Sequence, residues 1–281
     1  MKIMIGKVYL VGAGPGDPEL LTLKALRVLR SANAVLHDEL VSPEVLKLVP
    51  HSARVYNVGK RCGAQHISQE KINTLLVGLA SAGLQVVRLK GGDPLIFGRA
   101  GEEIDALREV NIDLEIVPGV TAALGAAASA QIPLTYRGIS SSLVFFTGHL
   151  ADGSDLNWTG LAQSAATLAL YMPADDYSQI AQKLRSAGLS AGTPCAIVSR
   201  ATTRKQHIHL TTIESLADSQ RLPAPALLLI GEVVRLARHA VSPHSPVEVS
   251  ADERAYADLF NLASTLPTQL DSTGEVQVPH V

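Results

Sequence analysis

At 281 residues, 47% of them hydrophobic, the chain is long enough to bury a sizeable core and to form two domains. A formal net charge of −2 offers no basic field for nucleic acid, so any anionic ligand has to be met by individually placed cations. The two cysteines, Cys62 and Cys195, are too few for a disulfide framework and suit a reducing cytoplasm.

At the amino end, Lys7 and the glycine loop after it interrupt any signal-peptide core. Residues 7–11 read as an apolar strand running into Gly12-Ala13-Gly14-Pro15-Gly16-Asp17-Pro18. The glycines are spaced two and two, which is not the dinucleotide fingerprint, and Pro15 lacks the amide a phosphate cradle would use. A tight turn that approaches a ligand closely is expected there. Residues 18–30 carry Leu20, Leu21, Leu23, Leu26 and Leu29 near helical spacing. Ala34–His37 is a short buried strand ending in Asp38-Glu39, and residues 54–58 form another ending in Gly59-Lys60-Arg61. Charges at the ends of parallel strands can converge on a cleft, although taken singly they are commonly solvated loop residues. Residues 67–82 form an amphipathic helix through Ile72, Leu75, Leu76 and Leu79.

Residues 85–90 then read as a strand that Gly91-Gly92 stops with a turn bulky residues could not follow. Asp93 before Pro94 predicts the start of a short helix, since Asp caps free amides and Pro suits the first helical position. A strand, a glycine turn and a helix start place main-chain groups at the carboxyl edge of a sheet, where open α/β folds bind ligands. Behind it, Arg99 and Glu102 stand three apart and share a helical face, though a solvated charged helix is the ordinary alternative. A helix over residues 99–110 and a fifth strand over 113–117 complete an alternation that predicts a parallel sheet with helices on its faces.

Pro118-Gly119-Val120-Thr121 marks a boundary, after which Ala122, Ala123 and Gly125 to Ala130 predict a small-residue helix joining two domains. After Tyr136-Arg137-Gly138 come strands at Leu143–Thr147 and Thr167–Tyr171, the latter ending in Met172-Pro173. A helix over 176–187 and strands over 195–199, 207–210 and 227–231 follow. Extended segments outnumber helices here, so mixed or antiparallel pairing is expected. The longest apolar run, which starts at Pro223, is interrupted by Gly231 and Glu232, well short of the ~20 residues of a membrane helix. The chain thus divides into an α/β domain over 1–118, a second over 119–240, and a linker, isolated helix (252–263) and loose tail over 241–281. His207 and His209 share one strand face without a third ligand, so no metal site is assigned. Cys62, beside Lys60 and Arg61, reads as an incidental thiol and Trp158 as a packing residue.

Assembled, these pieces closely resemble the uroporphyrinogen III C-methyltransferases of the tetrapyrrole methylase family. The resemblance runs through residues 8–18, His37-Asp38, Gly59-Lys60-Arg61, Gly91-Gly92-Asp93-Pro94, Pro118-Gly119-Val120-Thr121-Ala122, Tyr171-Met172 and Gly231-Glu232-Val233-Val234, covering roughly residues 7–238. It implies a two-domain α/β tetrapyrrole methylase fold, with a mainly parallel N-terminal sheet, a mixed C-terminal sheet and S-adenosylmethionine in the cleft between domains. It further implies two successive methylations of uroporphyrinogen III to precorrin-2, for sirohaem, cobalamin or haem d1, by a cytoplasmic homodimer with no metal. No membrane or nucleic-acid partner is implied.

Carried over by position, the cofactor contacts fall on Pro15, Gly91, Gly92, Asp93, Ile96, Thr121, Ala122, Met172 and Ala201, where some relatives have glycine in place of Ala201. Arg99, Glu102 and Arg137 match substrate-facing positions, with Arg61 and Arg200 as further candidates for a polycarboxylate ring; a planar guanidinium binds a carboxylate through two hydrogen bonds. Asp38 and Lys60 match proton-transfer positions, and Arg99 is a third catalytic candidate. Lys60 could equally act as an acid or a carboxylate clamp, and a guanidinium is a poor base because it hardly deprotonates. With no dinucleotide-binding domain ahead of residue 1, the chain is expected not to be a fused sirohaem synthase. Two other functions remain open: a methylase of the same fold acting on a later corrin, ribosomal RNA or a diphthine precursor, and a non-catalytic S-adenosylmethionine sensor that needs neither Asp38 nor Lys60.

Overall fold

The structure, a computed structural model, describes residues 5–59, 67–148, 155–173 and 177–237. Lys60, Arg61, Cys62 and the predicted 252–263 helix lie outside the described residues. The first half builds β1 (Val8–Gly12), β2 (Ala34–His37), β3 (Arg54–Asn57), β4 (Val86–Lys90) and β5 (Leu114–Val117) into a sheet of order β3-β2-β4-β1-β5. Every pairing in it is parallel, as the alternation of strand and helix predicts.

Side chains alternate across this sheet, and the two faces bury different helices. Val8, Leu10, Leu36 and Val86 pack with Ile72 and Leu76 of α3 (Gln69–Ser81) and Ile104 and Leu107 of α4 (Ala100–Glu109). Val11, Val35, Val87 and Leu89 pack on the other side with Ala25, Val28 and Leu29 of α1 (Leu23–Arg30) and Val45 of α2 (Pro43–Leu46). The chain therefore leaves β1 toward one face and the neighbouring β4 toward the other. Such a switch point opens a crevice at the carboxyl ends of the strands.

The second half forms β6 (Leu143–Thr147), β7 (Thr167–Tyr171), β8 (Pro194–Ser199), β9 (His207–Thr212) and β10 (Ala226–Ile230) in the order β6-β7-β10-β8-β9. Only β6 and β7 run parallel; the other neighbours are antiparallel, so the sheet is mixed as expected. Ala123, Ala126, Ala127 and Ala130 of α5 (Ala122–Ala130) bury against one face. Tyr177, Ile180 and Leu184 of α7 (Tyr177–Ser186) cover the other, with Ile213 and Leu216 of α8 (Ile213–Leu216). Trp158, which opens α6 (Trp158–Gln163), packs edge-on to Phe146 with ring centroids 6.2 Å apart. Burial pushes the Cys195 thiol up to about 12.

Two predicted helices come out differently. Residues 18–30 are not one helix: a single 3₁₀ turn (Pro18–Leu20) is capped by Asp17, and α1 starts afresh where the Thr22 hydroxyl accepts the Ala25 amide at 3.1 Å. Nor does a helix start at Asp93. Its Oδ1 accepts from Leu95 N at 2.9 Å and its Oδ2 from Gly119 N at 3.0 Å, so the carboxylate closes a local turn and bridges to the loop after β5. The chain turns through residues 91–99, and α4 begins only at Ala100, after Arg99 in a left-handed conformation at φ 55°.

Candidate active site

Three glycine-bearing loops leave adjacent strands and close on one another. A Cβ at Gly12 would lie 2.6 Å from both the Gly119 backbone and the Gly92 carbonyl oxygen, so the loops after β1, β4 and β5 touch through main chain. Gly14 and Gly92 exchange backbone hydrogen bonds of 3.2 and 2.8 Å, with Gly14 at φ 71° and Gly92 at φ 67°. The same loops reach the second half. Pro15 fills the space that a side chain at Gly125 of α5 would need, with a Cβ there only 2.6 Å from the proline ring. Asp17 N donates to Thr202 Oγ1 at 3.1 Å, and a Cβ at Gly16 would lie 3.4 Å from the Ala201 carbonyl oxygen.

Opposite them, the start of α5 is tied to the end of β7. The Tyr171 hydroxyl is 2.7 Å from Thr121 Oγ1 and accepts the Ala123 amide at 3.2 Å. Phe97 meets the Tyr171 ring at a tilt, with centroids 4.9 Å apart, and Ile96 packs against the core under the second sheet. Burial pushes the Tyr171 phenol above its ordinary range, with a smaller contribution from the Asp93 charge nearby. Met172 follows at φ 48°, half exposed. Pro15, Gly92, Asp93, Ile96, Thr121, Ala122, Met172 and Ala201 are thus linked through the three loops, α5, the end of β7 and the turn after β8. Gly91 lies at the other edge, where a Cβ would sit 3.2 Å from that of Leu40 in the loop after β2.

Arg99 and Glu102 form a two-pronged pair, Nε to Oε1 at 2.7 Å and Nη2 to Oε2 at 2.8 Å, with both side chains about half exposed. The hydrogen bond to Glu102 holds the Arg99 guanidinium above its ordinary value, and the same bond lowers Glu102. Arg137 is exposed on the turn that the Tyr136–Ser140 bridge closes. Arg200 spends its Nε on the Ala224 carbonyl at 3.1 Å.

Behind the cleft lies a chain of charges that sequence reasoning passed over. On β4, Arg88 and Lys90 point to the same side as Val86 and are buried, as is Glu103 of α4. Arg88 Nε donates to Glu103 Oε1 at 2.9 Å, and Lys90 Nζ lies 3.1 and 3.0 Å from the two Glu103 oxygens. Arg88 Nη2 also donates, in a short contact, to Asp38 at the end of β2. Burial opposes the Arg88 charge, but Asp38 and Glu103 together hold its guanidinium above the ordinary value. Burial, reinforced by Arg88, lowers Lys90. A signal was present: position 103 falls on the buried helical stripe with Ala100, Ile104 and Leu107, and an acid there needs a partner.

The family model for tetrapyrrole (corrin/porphyrin) methylases matches residues 7–217. The chain belongs to this family. Siroheme synthase of Sodalis glossinidius is 48% identical over 92% of this chain but only 55% of its own length, and this chain spans about half the length of the curated relatives it matches. Among solved structures, a uroporphyrin-III C-methyl transferase of Thermus thermophilus in complex with S-adenyl homocysteine is 41% identical. The match covers 82% of this chain and 100% of that one, with a TM-score of 0.73. A cobalt precorrin-4 methyltransferase is 30% identical, with 81% of this chain and 95% of that one covered and a TM-score of 0.73.

Proposed function

We propose that this methylase is an S-adenosylmethionine-dependent C-methyltransferase that converts uroporphyrinogen III into precorrin-2 by two successive methylations. The observation that carries the assignment is the convergence of the loops after β1, β4 and β5 on α5 and the end of β7. Support comes from the Thermus uroporphyrin-III C-methyl transferase, matched along its full length. The donor set suits a small sulfonium: main-chain groups at Gly91 and Gly92, short side chains at Thr121 and Ala122, and the Asp93 carboxylate. Pro15, Ile96, Met172 and Ala201 would complete its contacts. When bound, S-adenosylmethionine offers a methyl group on a positively charged sulfur.

A pyrrole carbon supplies the electron pair of the new C–C bond, and the C–S pair stays with sulfur. The positive charge then resides on the macrocycle until a ring proton leaves. Walls that hold the two partners in line can lower such a barrier by about 7–11 kcal/mol. Asp38, at the carboxyl end of β2 with its side chain partly open, takes the departing proton. Lys60, which the resemblance matches to a proton-transfer position, supplies a proton or clamps a carboxylate. Arg99 keeps its own proton, so it binds a substrate carboxylate with Glu102 orienting it, and Arg137 is a second such cation.

We further propose that residues 1–118 and 119–240 act as the two halves of the enzyme and that it works as a cytoplasmic homodimer. Light scattering on the purified chain tests the dimer. No helix among the described residues is long and apolar enough to cross a membrane.

The decisive assay is anaerobic incubation with uroporphyrinogen III and S-adenosylmethionine, read by mass spectrometry. A product heavier by two methyl groups is expected. Tight cofactor binding without any mass gain would overturn the assignment and favour a non-catalytic S-adenosylmethionine sensor, unless a later corrin gains a methyl group in the same assay, the reading that the cobalt precorrin-4 relative supports.

A further inference from the structure

Four charged side chains are joined by contacts, Lys90 to Glu103 to Arg88 to Asp38, and only the last is partly exposed. The side chains of Arg88, Lys90 and Glu103 are 3%, 2% and 0% exposed, whereas that of Asp38 is 29% exposed. Burying three charges is costly, and apolar residues of the same volume would serve stability at least as well. The two cations differ in one respect. Both bind Glu103, but only Arg88 goes on to Asp38, and its Nη1 also donates to the Leu89 carbonyl at 3.3 Å. Its planar fork is therefore fixed on two sides before it meets the carboxylate. The Asp38 backbone is fixed as well, its amide donating to Leu89 O at 3.2 Å and its carbonyl 3.0 Å from His37 Nδ1.

We propose that Arg88 is the positioning residue for Asp38, aiming its carboxylate into the cleft for the proton-removal step, while Lys90 serves only to balance the buried charge of Glu103. This rests on the assignment of Asp38 as the proton acceptor. The charged groups around Asp38 among the described residues are Arg88 and, without a hydrogen bond to it, Lys90 on β4, Glu103 behind them on α4, and His37 and Glu39 along its own segment.

Arg88→Met and Lys90→Met form a matched test. Each removes one buried cation from the same acid and leaves Glu103 paired with the other. If Arg88 aims Asp38, R88M lowers turnover about a hundredfold, the scale of lost acid–base catalysis, with unchanged affinity for S-adenosylmethionine. K90M stays near wild-type turnover. Should R88M fold poorly, Arg88→Lys keeps a buried cation too short to reach both carboxylates and is expected to show the same loss of turnover. Asp38→Asn supplies the second axis: D38N alone and the R88M/D38N double variant should be equally slow, because residues acting as one unit do not add. Equal losses in R88M and K90M, or multiplying losses in the double variant, would overturn the role of Arg88. Full turnover in D38N would instead overturn the assignment of Asp38, and this inference with it.

Discussion

Helix α4 carries two adjacent glutamates that meet arginines at nearly the same distance and in opposite surroundings. Glu102 pairs with Arg99 at 2.7 Å with both side chains about half in water, and Glu103 pairs with Arg88 at 2.9 Å with neither exposed by more than 3%. Distance alone would rank them alike. What separates them is desolvation: the outer pair can exchange its contact for water or a ligand carboxylate at little cost, while the inner group has nowhere else to place its charge. The outer pair suits binding and release, and the inner one suits holding a fixed direction.

The sharpest way to break this contrast is Glu103→Gln. It leaves Arg88 and Lys90 buried beside a neutral amide, and removing one partner of a buried ion pair typically costs about 3–5 kcal/mol. Urea denaturation should show a loss of that order, and adding Lys90→Met to E103Q should recover part of it by removing the stranded cation. A change as small as that of a surface pair would mean the inner network is solvated after all.

Tyr171→Phe ranks second. It deletes the hydroxyl that meets Thr121 Oγ1 and the Ala123 amide but keeps the ring packed between Phe97 and Phe145. Leaving buried groups unsatisfied costs about 1–3 kcal/mol. Because the start of α5 is what the hydroxyl fixes, calorimetric titration should show weaker S-adenosylmethionine binding beyond any loss in melting temperature.

Much of the scaffold was legible because strands buried on both faces read as apolar runs, and Ala34–His37 and Thr167–Tyr171 emerge at their sequence-read bounds. The glycine loops were legible for a related reason: a backbone that must touch another backbone, as at Gly12 and Gly119, admits no side chain. What stayed hidden depends on tertiary partners. Asp93 before Pro94 has the local chemistry of a helix start, yet its carboxylate is committed to Gly119 N, 26 residues away. Arg88 and Lys90 look like charges interrupting a strand until Glu103, 15 and 13 positions on, arrives beside them. The short α2 went unread: Ser42 Oγ caps it by accepting from Val45 N at 3.3 Å, but its four residues carry too little periodicity to notice.

The smallest effect belongs to the outer pair, and its direction can be worked out. Glu102 is held below its ordinary value of 4.5 by the hydrogen bond from Arg99, so the unfolded chain binds more protons as pH falls through that range. The pair therefore stabilises the fold above about pH 4.5, and that contribution fades in more acidic solution. Since both side chains are half exposed, the whole contribution stays below about 1 kcal/mol and shrinks in salt. Glu102→Gln should leave melting at neutral pH nearly unchanged and flatten its decline in acid slightly. If Glu102 orients Arg99 toward a substrate carboxylate, the same variant should raise KM for uroporphyrinogen III with little change in kcat, the mark of lost ground-state binding. A fall in kcat at constant KM would move Glu102 from the binding rim into the chemistry and erase the division between the two glutamates.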